Sequence, residues 1–215
     1  MKRKLEDIFR RLYSVFGAQH WWPADSVFEI MVGAILTQNT NWSNVEKAIL
    51  TLKEKKLLTA LKLYRLPQRR LASLIKSAGY YNVKAARLKS FLKFFFKHYA
   101  AKIKLMGEQD LGALRRQLLT VKGIGPETAD SILLYALNKP VFVVDTYTKR
   151  ILSRHGLIKA EADYSQCQDI FMRNLKADVQ LFGEYHALLV KLGKDYCRKQ
   201  NPKCEICPLW SIKNV

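Results

Sequence analysis

Apolar residues return every three or four positions along almost the whole chain, through 4–16, 27–36, 43–57, 69–77, 83–99, 110–120, 126–137, 146–155, 165–175 and 183–195. That spacing gathers them on one face of an α-helix and scatters them across both faces of a strand, so the fold class is all-α. Helices should end at Trp21-Trp22-Pro23, Leu66-Pro67, Ala78-Gly79, Gly107, Gly123-Ile-Gly125, Asn138-Lys139-Pro140, Gly156 and Asn201-Pro202. Val141 to Val144 alone reads as a strand, and a lone strand has no sheet to join, so an extended connector is expected there. No repeat or low-complexity linker divides the 215 residues, which suffice for one domain or two small lobes sharing a cleft.

Charge narrows the partner. Lys and Arg number 37 against 18 Asp and Glu, a formal net charge of +19, while 49% of residues are apolar. This is a folded basic protein, not a disordered tail, and its expected ligand is a polyanion bound through counterion release. An anionic membrane is the rival, but neither a signal peptide nor an uncharged apolar run of membrane-spanning length is present, so a soluble, cytoplasmic protein is expected.

Residues 119–150 concentrate the chemistry. Gly123 and Gly125 flank Ile124 in a turn that can present bare N–H groups, Pro126 suits the first position of the next helix, and Lys122 precedes the turn. Such a turn can hold a phosphate without reading sequence. Asp145 follows an apolar run and opens another helical stretch, as a candidate catalytic carboxylate or a helix N-cap, two roles that are compatible.

Leu119-Thr-Val-Lys-Gly-Ile-Gly-Pro-Glu-Thr-Ala-Asp130 followed by Val143-Val-Asp-Thr146 resembles the helix-hairpin-helix and Gly/Pro-rich loop plus aspartate of the endonuclease III superfamily of DNA glycosylases. Leu36-Thr-Gln-Asn-Thr40, Gly79-Tyr-Tyr-Asn-Val-Lys-Ala85 and a C-terminal cysteine cluster stand in that family's order, so the resemblance spans nearly the whole chain. It implies a two-lobed fold: a six-helix barrel module over 25–139, and a second lobe from 1–24 plus 140–215, with DNA in the cleft. It also implies a monomeric enzyme that flips a damaged nucleotide out of duplex DNA and cuts its N-glycosidic bond. Gln38 matches the family's wedge residue and Tyr80 a second wedge. Lys122, Gly123, Gly125 and Thr128 fall in the DNA-binding hairpin, and Asp145 matches the catalytic aspartate. The plain alternatives are that Gln38 caps a helix and Tyr80 is a surface aromatic.

Lyase-competent members carry a Schiff-base lysine just after the hairpin; here that position is Glu127. A carboxylate forms no imine, so a monofunctional glycosylase is expected. Glu127 together with Trp21-Trp22-Pro23 and Trp42 resembles the 3-methyladenine branch, which implies that Trp21 and Trp42 stack on a cationic alkylated purine opposite Glu127. Each has a plain alternative, core packing for the tryptophans and helix-dipole stabilisation for Glu127. A mismatched or oxidised pyrimidine as substrate, and a non-catalytic damage sensor, are the rival functions.

Cys197, Cys204 and Cys207 reproduce three of the family's four iron–sulfur ligands, with Lys213 where the fourth should stand. The expected cofactor is a [4Fe–4S] cluster or a three-cysteine variant of it, with Zn²⁺ or no metal as the other readings. The loop would order Lys194, Arg198, Lys199 and Lys203 toward phosphate. Cys167 sits in a separate predicted helix. The four histidines show no metal-ligand spacing and receive no role.

Overall fold

The computed structural model describes residues 1–212, so Lys213 lies outside the described residues. Helices α1 (Lys2–Phe16), α2 (Val27–Leu36), α3 (Trp42–Glu54), α4 (Ala60–Arg65), α5 (Gln68–Leu74), α6 (Tyr81–Tyr99), α7 (Ile103–Gly107), α8 (Leu111–Leu119), α9 (Pro126–Ser131), α10 (Thr146–Arg154), α11 (Tyr164–Met172) and α12 (Val179–Asp195) account for most of them. Among the described residues there is no strand, as the periodicity demands. None of the described helices is long and apolar enough to cross a membrane.

Helix starts are set by side chains that take up the first free N–H groups. Ser26, Thr59, Asp110, Asp145 and Asp178 each accept from a backbone N–H two or three residues inside the following helix. Asp163 and Gln166 form a reciprocal capping box at α11. Helix α4, which the apolar spacing missed, is closed by a cation instead: the Lys89 amine reaches the carbonyls of Leu63 and Leu66 at 3.1 and 2.8 Å, and that of Tyr64. α7 is the other missed helix, and the break expected at Gly107 is its last residue. Both span six residues or fewer, too short for an apolar period to register.

The chain forms two compact units, Ala24–Leu137, and Met1–Pro23 with the described residues from Asn138 onward. In the first, α2 is the central element and is buried on nearly every side, from Phe28 to Leu36. It packs on α3, α6, α9 and the wide helical turn Ile132–Ala136 that continues α9. The aromatic run in α6 is core with a wet charged face: Phe91 and Phe95 are buried while Lys93 and Lys97 are exposed.

In the second unit α12 packs against α1 and α10. The Tyr185 hydroxyl donates to the Leu5 carbonyl at 2.9 Å, tying α12 to α1. Val141–Val144 is the expected extended connector, and it is buried throughout. A buried connector must find partners for its backbone, and here side chains supply them. Gln168 donates to the Phe142 carbonyl at 2.6 Å, and the Val144 N–H donates to the Tyr164 hydroxyl at 3.3 Å. The Phe142 ring lies flat on Phe171, centroids 3.6 Å apart, with Phe182 and Tyr185 edge-on. Asp145 is the next residue, so this anchoring fixes where its carboxylate starts.

Candidate active site

The hairpin joins α8 to α9. Gly123 has φ +90°, a region that side-chain-bearing residues rarely enter, whereas Gly125 is ordinary extended backbone at φ −94°. The turn therefore requires glycine at 123 for its conformation; at 125 the missing side chain only leaves the backbone open. A Cβ on Gly123 would also press on Cγ of Arg87, with Cδ at 2.9 Å. Ile124 plugs the turn into the core. Arg115 of α8 grips Asp130 of α9 with two hydrogen bonds of 2.6 and 3.0 Å, and the Asp130 carboxylate is 0% exposed. The two helices are clamped so that the turn between them keeps its shape. Lys122, Gly125 and Glu127 are exposed around it.

Gln38, just past the end of α2, is held on the hairpin at both ends of its amide. Its Nε2 donates to the Gly123 carbonyl at 2.9 Å and to the Thr128 hydroxyl at 2.8 Å, and its Oε1 accepts from Arg87 at 2.5 Å. The helix-cap reading of Gln38 does not hold, because Thr37 takes the C-cap position. Thr128 is 6% exposed and spends its hydroxyl on Gln38, so its side chain positions that residue and presents little surface of its own. Arg87 escaped sequence reasoning: 49 residues separate it from Gln38, and nothing local marks it.

Tyr80 is 71% exposed at the start of α6, with φ +46° directly after Gly79 at φ +67°. Two left-handed residues in succession thrust a large apolar ring into solvent, a costly arrangement for a merely decorative aromatic. Beneath it Lys84, 1% exposed, donates to the Ala78 carbonyl at 2.6 Å, and burial pushes its amine down to about 8. Trp42 is half-buried in the first turn of α3, in the same unit as Glu127. Trp21 is half-buried beside the half-buried Trp22, ring centroids 5.3 Å apart, in the other unit.

Asp145 is an N-cap and more than a cap. Its Oδ1 accepts from the Thr148 N–H at 2.7 Å, while Oδ2 faces Nε2 of His186 on α12 at 3.7 Å. Burial drives its pKa up, but His186 and the Thr148 amide outweigh it and hold the carboxyl below the ordinary range. The result is a desolvated carboxylate kept anionic. His186 had been assigned no role, and its pairing with Asp145 corrects that; a separation of 41 residues hides it from any spacing argument. The two helices approach closely enough for the contact because Gly193 leaves room for Tyr147, while Arg150 donates to the Gly193 and Cys197 carbonyls at 3.1 and 2.7 Å.

The matching family model is the HhH-GPD superfamily of base excision DNA repair proteins, over residues 32–177. The chain belongs to this superfamily. Of its curated relatives, a candidate DNA repair glycosylase of Methanocaldococcus jannaschii is 46% identical over 203 residues, covering 94% of this chain and 92% of the relative. Endonuclease III of Thermotoga maritima is 29% identical, covering 94% and 89%. Among solved structures, the 3-methyladenine DNA glycosylase MagIII of H. pylori, bound to 1,N6-ethenoadenine, superposes with TM-score 0.78 at 31% identity over 89% of this chain and 97% of that one. An endonuclease III–DNA complex superposes with TM-score 0.84 at 22% identity over 100% and 95%, a likeness of fold. The HhH-GPD match spans both the Gly123–Gly125 turn and Asp145, with Glu127 between them.

Its cysteine loop departs further. Cys197, Cys204 and Cys207 line one pocket of about 160 Å³ together with Arg154, His155, Tyr196, Lys203 and Trp210. Arg154 donates to Cys197 Sγ at 3.4 Å and to the carbonyls of Arg198 and Lys199 at 2.7 and 3.2 Å. Among the described residues, no three His, Cys, Asp or Glu groups converge as one metal ion would need. Cys167 is buried in α11 with its Sγ toward the Ala162 carbonyl.

Proposed function

We propose that this protein is a monofunctional DNA glycosylase that acts as a monomer on duplex DNA and releases alkylated purines such as 3-methyladenine. The observation that carries the reading is the Asp145 carboxylate, held below the ordinary carboxylate range by His186 and Thr148, in a chain whose post-hairpin residue is Glu127 instead of an amine. A buried anion of this kind stabilises the positive charge that grows on the sugar as the base departs, and it orients or deprotonates the attacking water. With no Schiff base formed, the abasic strand stays intact. A cationic base leaves readily, so a strong leaving-group acid is unnecessary. The exposed Glu127 and the half-buried Trp42, both of the Ala24–Leu137 unit, are the residues we assign to its charge and π face. The net charge of +19 supplies affinity for the phosphate backbone, the hairpin amides its positioning, and Gln38 and Tyr80 the wedges that hold a flipped nucleotide. Likeness to MagIII, solved with an etheno-modified adenine, supports the substrate class.

The cysteine pocket supports a structural iron–sulfur cluster held by Cys197, Cys204 and Cys207. When bound, the cluster would cross-link the C-terminal loop to the end of α12 and steady Arg198, Lys199 and Lys203 near DNA. The test of the main reading is release of 3-methyladenine from methylated duplex DNA by wild type, Asp145→Asn and Glu127→Ala, with borohydride trapping alongside. Release by wild type, loss with Asp145→Asn and no trapped adduct are expected. A wild type that frees only oxidised or mismatched pyrimidines would overturn the substrate, and a trapped adduct would overturn monofunctionality.

A further inference from the structure

Three thiolates leave one iron of a four-iron cluster without a protein ligand, and the spacing that calls for a fourth cysteine meets Lys213. The pocket itself holds another donor. His155, the residue that ends α10, lines it beside Cys197, Cys204 and Cys207. Its Nδ1 lies 2.9 Å from the carbonyl oxygen of Ile212. A carbonyl can only accept, so that contact calls for the ring proton on Nδ1, and in the neutral tautomer Nε2 is then the nitrogen that can bind a metal. An imidazole with one N–H tied to a backbone carbonyl and the other nitrogen bare is the usual arrangement of a metal-bound histidine. The tie is made to Ile212, one residue before the position where the fourth cysteine is expected.

We propose that His155, through Nε2, is the fourth ligand of the iron–sulfur cluster. The proposal rests on the reading that the pocket holds a cluster. Imidazole is a competent iron ligand and replaces cysteine on iron in Rieske centres, where it raises the reduction potential. Exchanging a thiolate for a neutral ring also removes one negative charge. That suits a wall that carries Arg154, already donating to Cys197 Sγ, and Lys203.

The test purifies the full chain anaerobically as wild type, His155→Ala, His155→Cys and Lys213→Cys, and measures iron, acid-labile sulfide, zinc, visible absorption and the reduction potential. Histidine labelled with ¹⁵N adds pulsed EPR of the reduced protein. Wild type should hold a four-iron cluster with a directly bonded nitrogen. His155→Ala should lose that nitrogen coupling and one iron, giving the EPR signal of an oxidised three-iron cluster, while His155→Cys keeps four irons at a lower potential. Lys213→Cys in the His155→Ala background should restore the fourth iron. A four-iron wild type whose iron content, spectrum and nitrogen coupling are the same in His155→Ala would overturn the ligand assignment and leave the cluster standing. A wild type free of iron and sulfide, or loaded with zinc, would overturn the cluster reading itself. Circular dichroism melts accompany each variant, and His155→Cys keeps the question answerable if His155→Ala fails to fold.

Discussion

Gly123→Ala is the sharpest probe of the hairpin, because it strikes conformation and packing at one atom. At φ +90° an alanine pays a left-handed penalty of roughly 1–2 kcal/mol. Its Cβ then overlaps Cγ of Arg87 and stands 2.9 Å from Cδ and 3.1 Å from Nε. Those atoms belong to the stem and not the free end of the side chain, so Arg87 must swing away, at an overpacking cost of about 1–3 kcal/mol. Its 2.5 Å bond to Gln38 goes with it. The total is about 3 kcal/mol, read by urea unfolding, or about 2–4 °C of Tm for each kcal/mol in a chain of this size. Arg87→Ala alone should cost about 1 kcal/mol for the lost hydrogen bond. In the double variant the clash has no partner, so the two changes should fall short of additivity by about 1–2 kcal/mol. Destabilisation by Gly123→Ala under about 0.5 kcal/mol, or strict additivity with Arg87→Ala, would show that the close approach of Arg87 to the turn has no energetic weight.

Four further outcomes are expected. Asp145→Asn, which retains capping chemistry, should stay folded with a modestly lower Tm yet lose base release by orders of magnitude in single-turnover assays. The folded pKa of Asp145 is depressed, so its stabilisation and its anionic form persist above the unfolded carboxylate value and vanish only as pH falls through the lower folded one; the acid limb of the rate profile should lie below 3.8, and His186→Ala should move it upward. Lys84, lowered to about 8 from 10.5, carries a buried charge below that pH, so wild-type stability should rise between pH 8 and 10.5 relative to Lys84→Met, and matching pH curves for the two would refute its burial. Asp130→Ala removes the buried acceptor of both Arg115 hydrogen bonds and should cost about 1.5–3 kcal/mol by denaturant titration, whereas a near-neutral result would show the α8–α9 clamp to be dispensable.

Helices of nine or more residues were legible because each buries one face, and a period of three to four residues records that locally. The same holds for the hairpin, where Gly123 must be glycine for its backbone, and for the buried connector, whose unbroken apolar run has no exposed face. α4 and α7 were invisible because a helix of one or two turns has little propensity of its own, and the end of α4 is held by Lys89 from elsewhere in the chain. The wedge candidate Gln38, the hairpin and Asp145 could be placed by motif order; Arg87, His186 and His155 could not, since each acts across 40 residues or more.

The sequence by itself determined an all-α basic protein with a glycine-dependent turn, a capping aspartate, and a glutamate just after that turn. Only the tertiary structure decided that His186 faces Asp145 and that His155 lines the cysteine pocket. A pKa and a ligand set are properties of groups brought together from distant positions, and spacing along the chain carries no record of which groups those are.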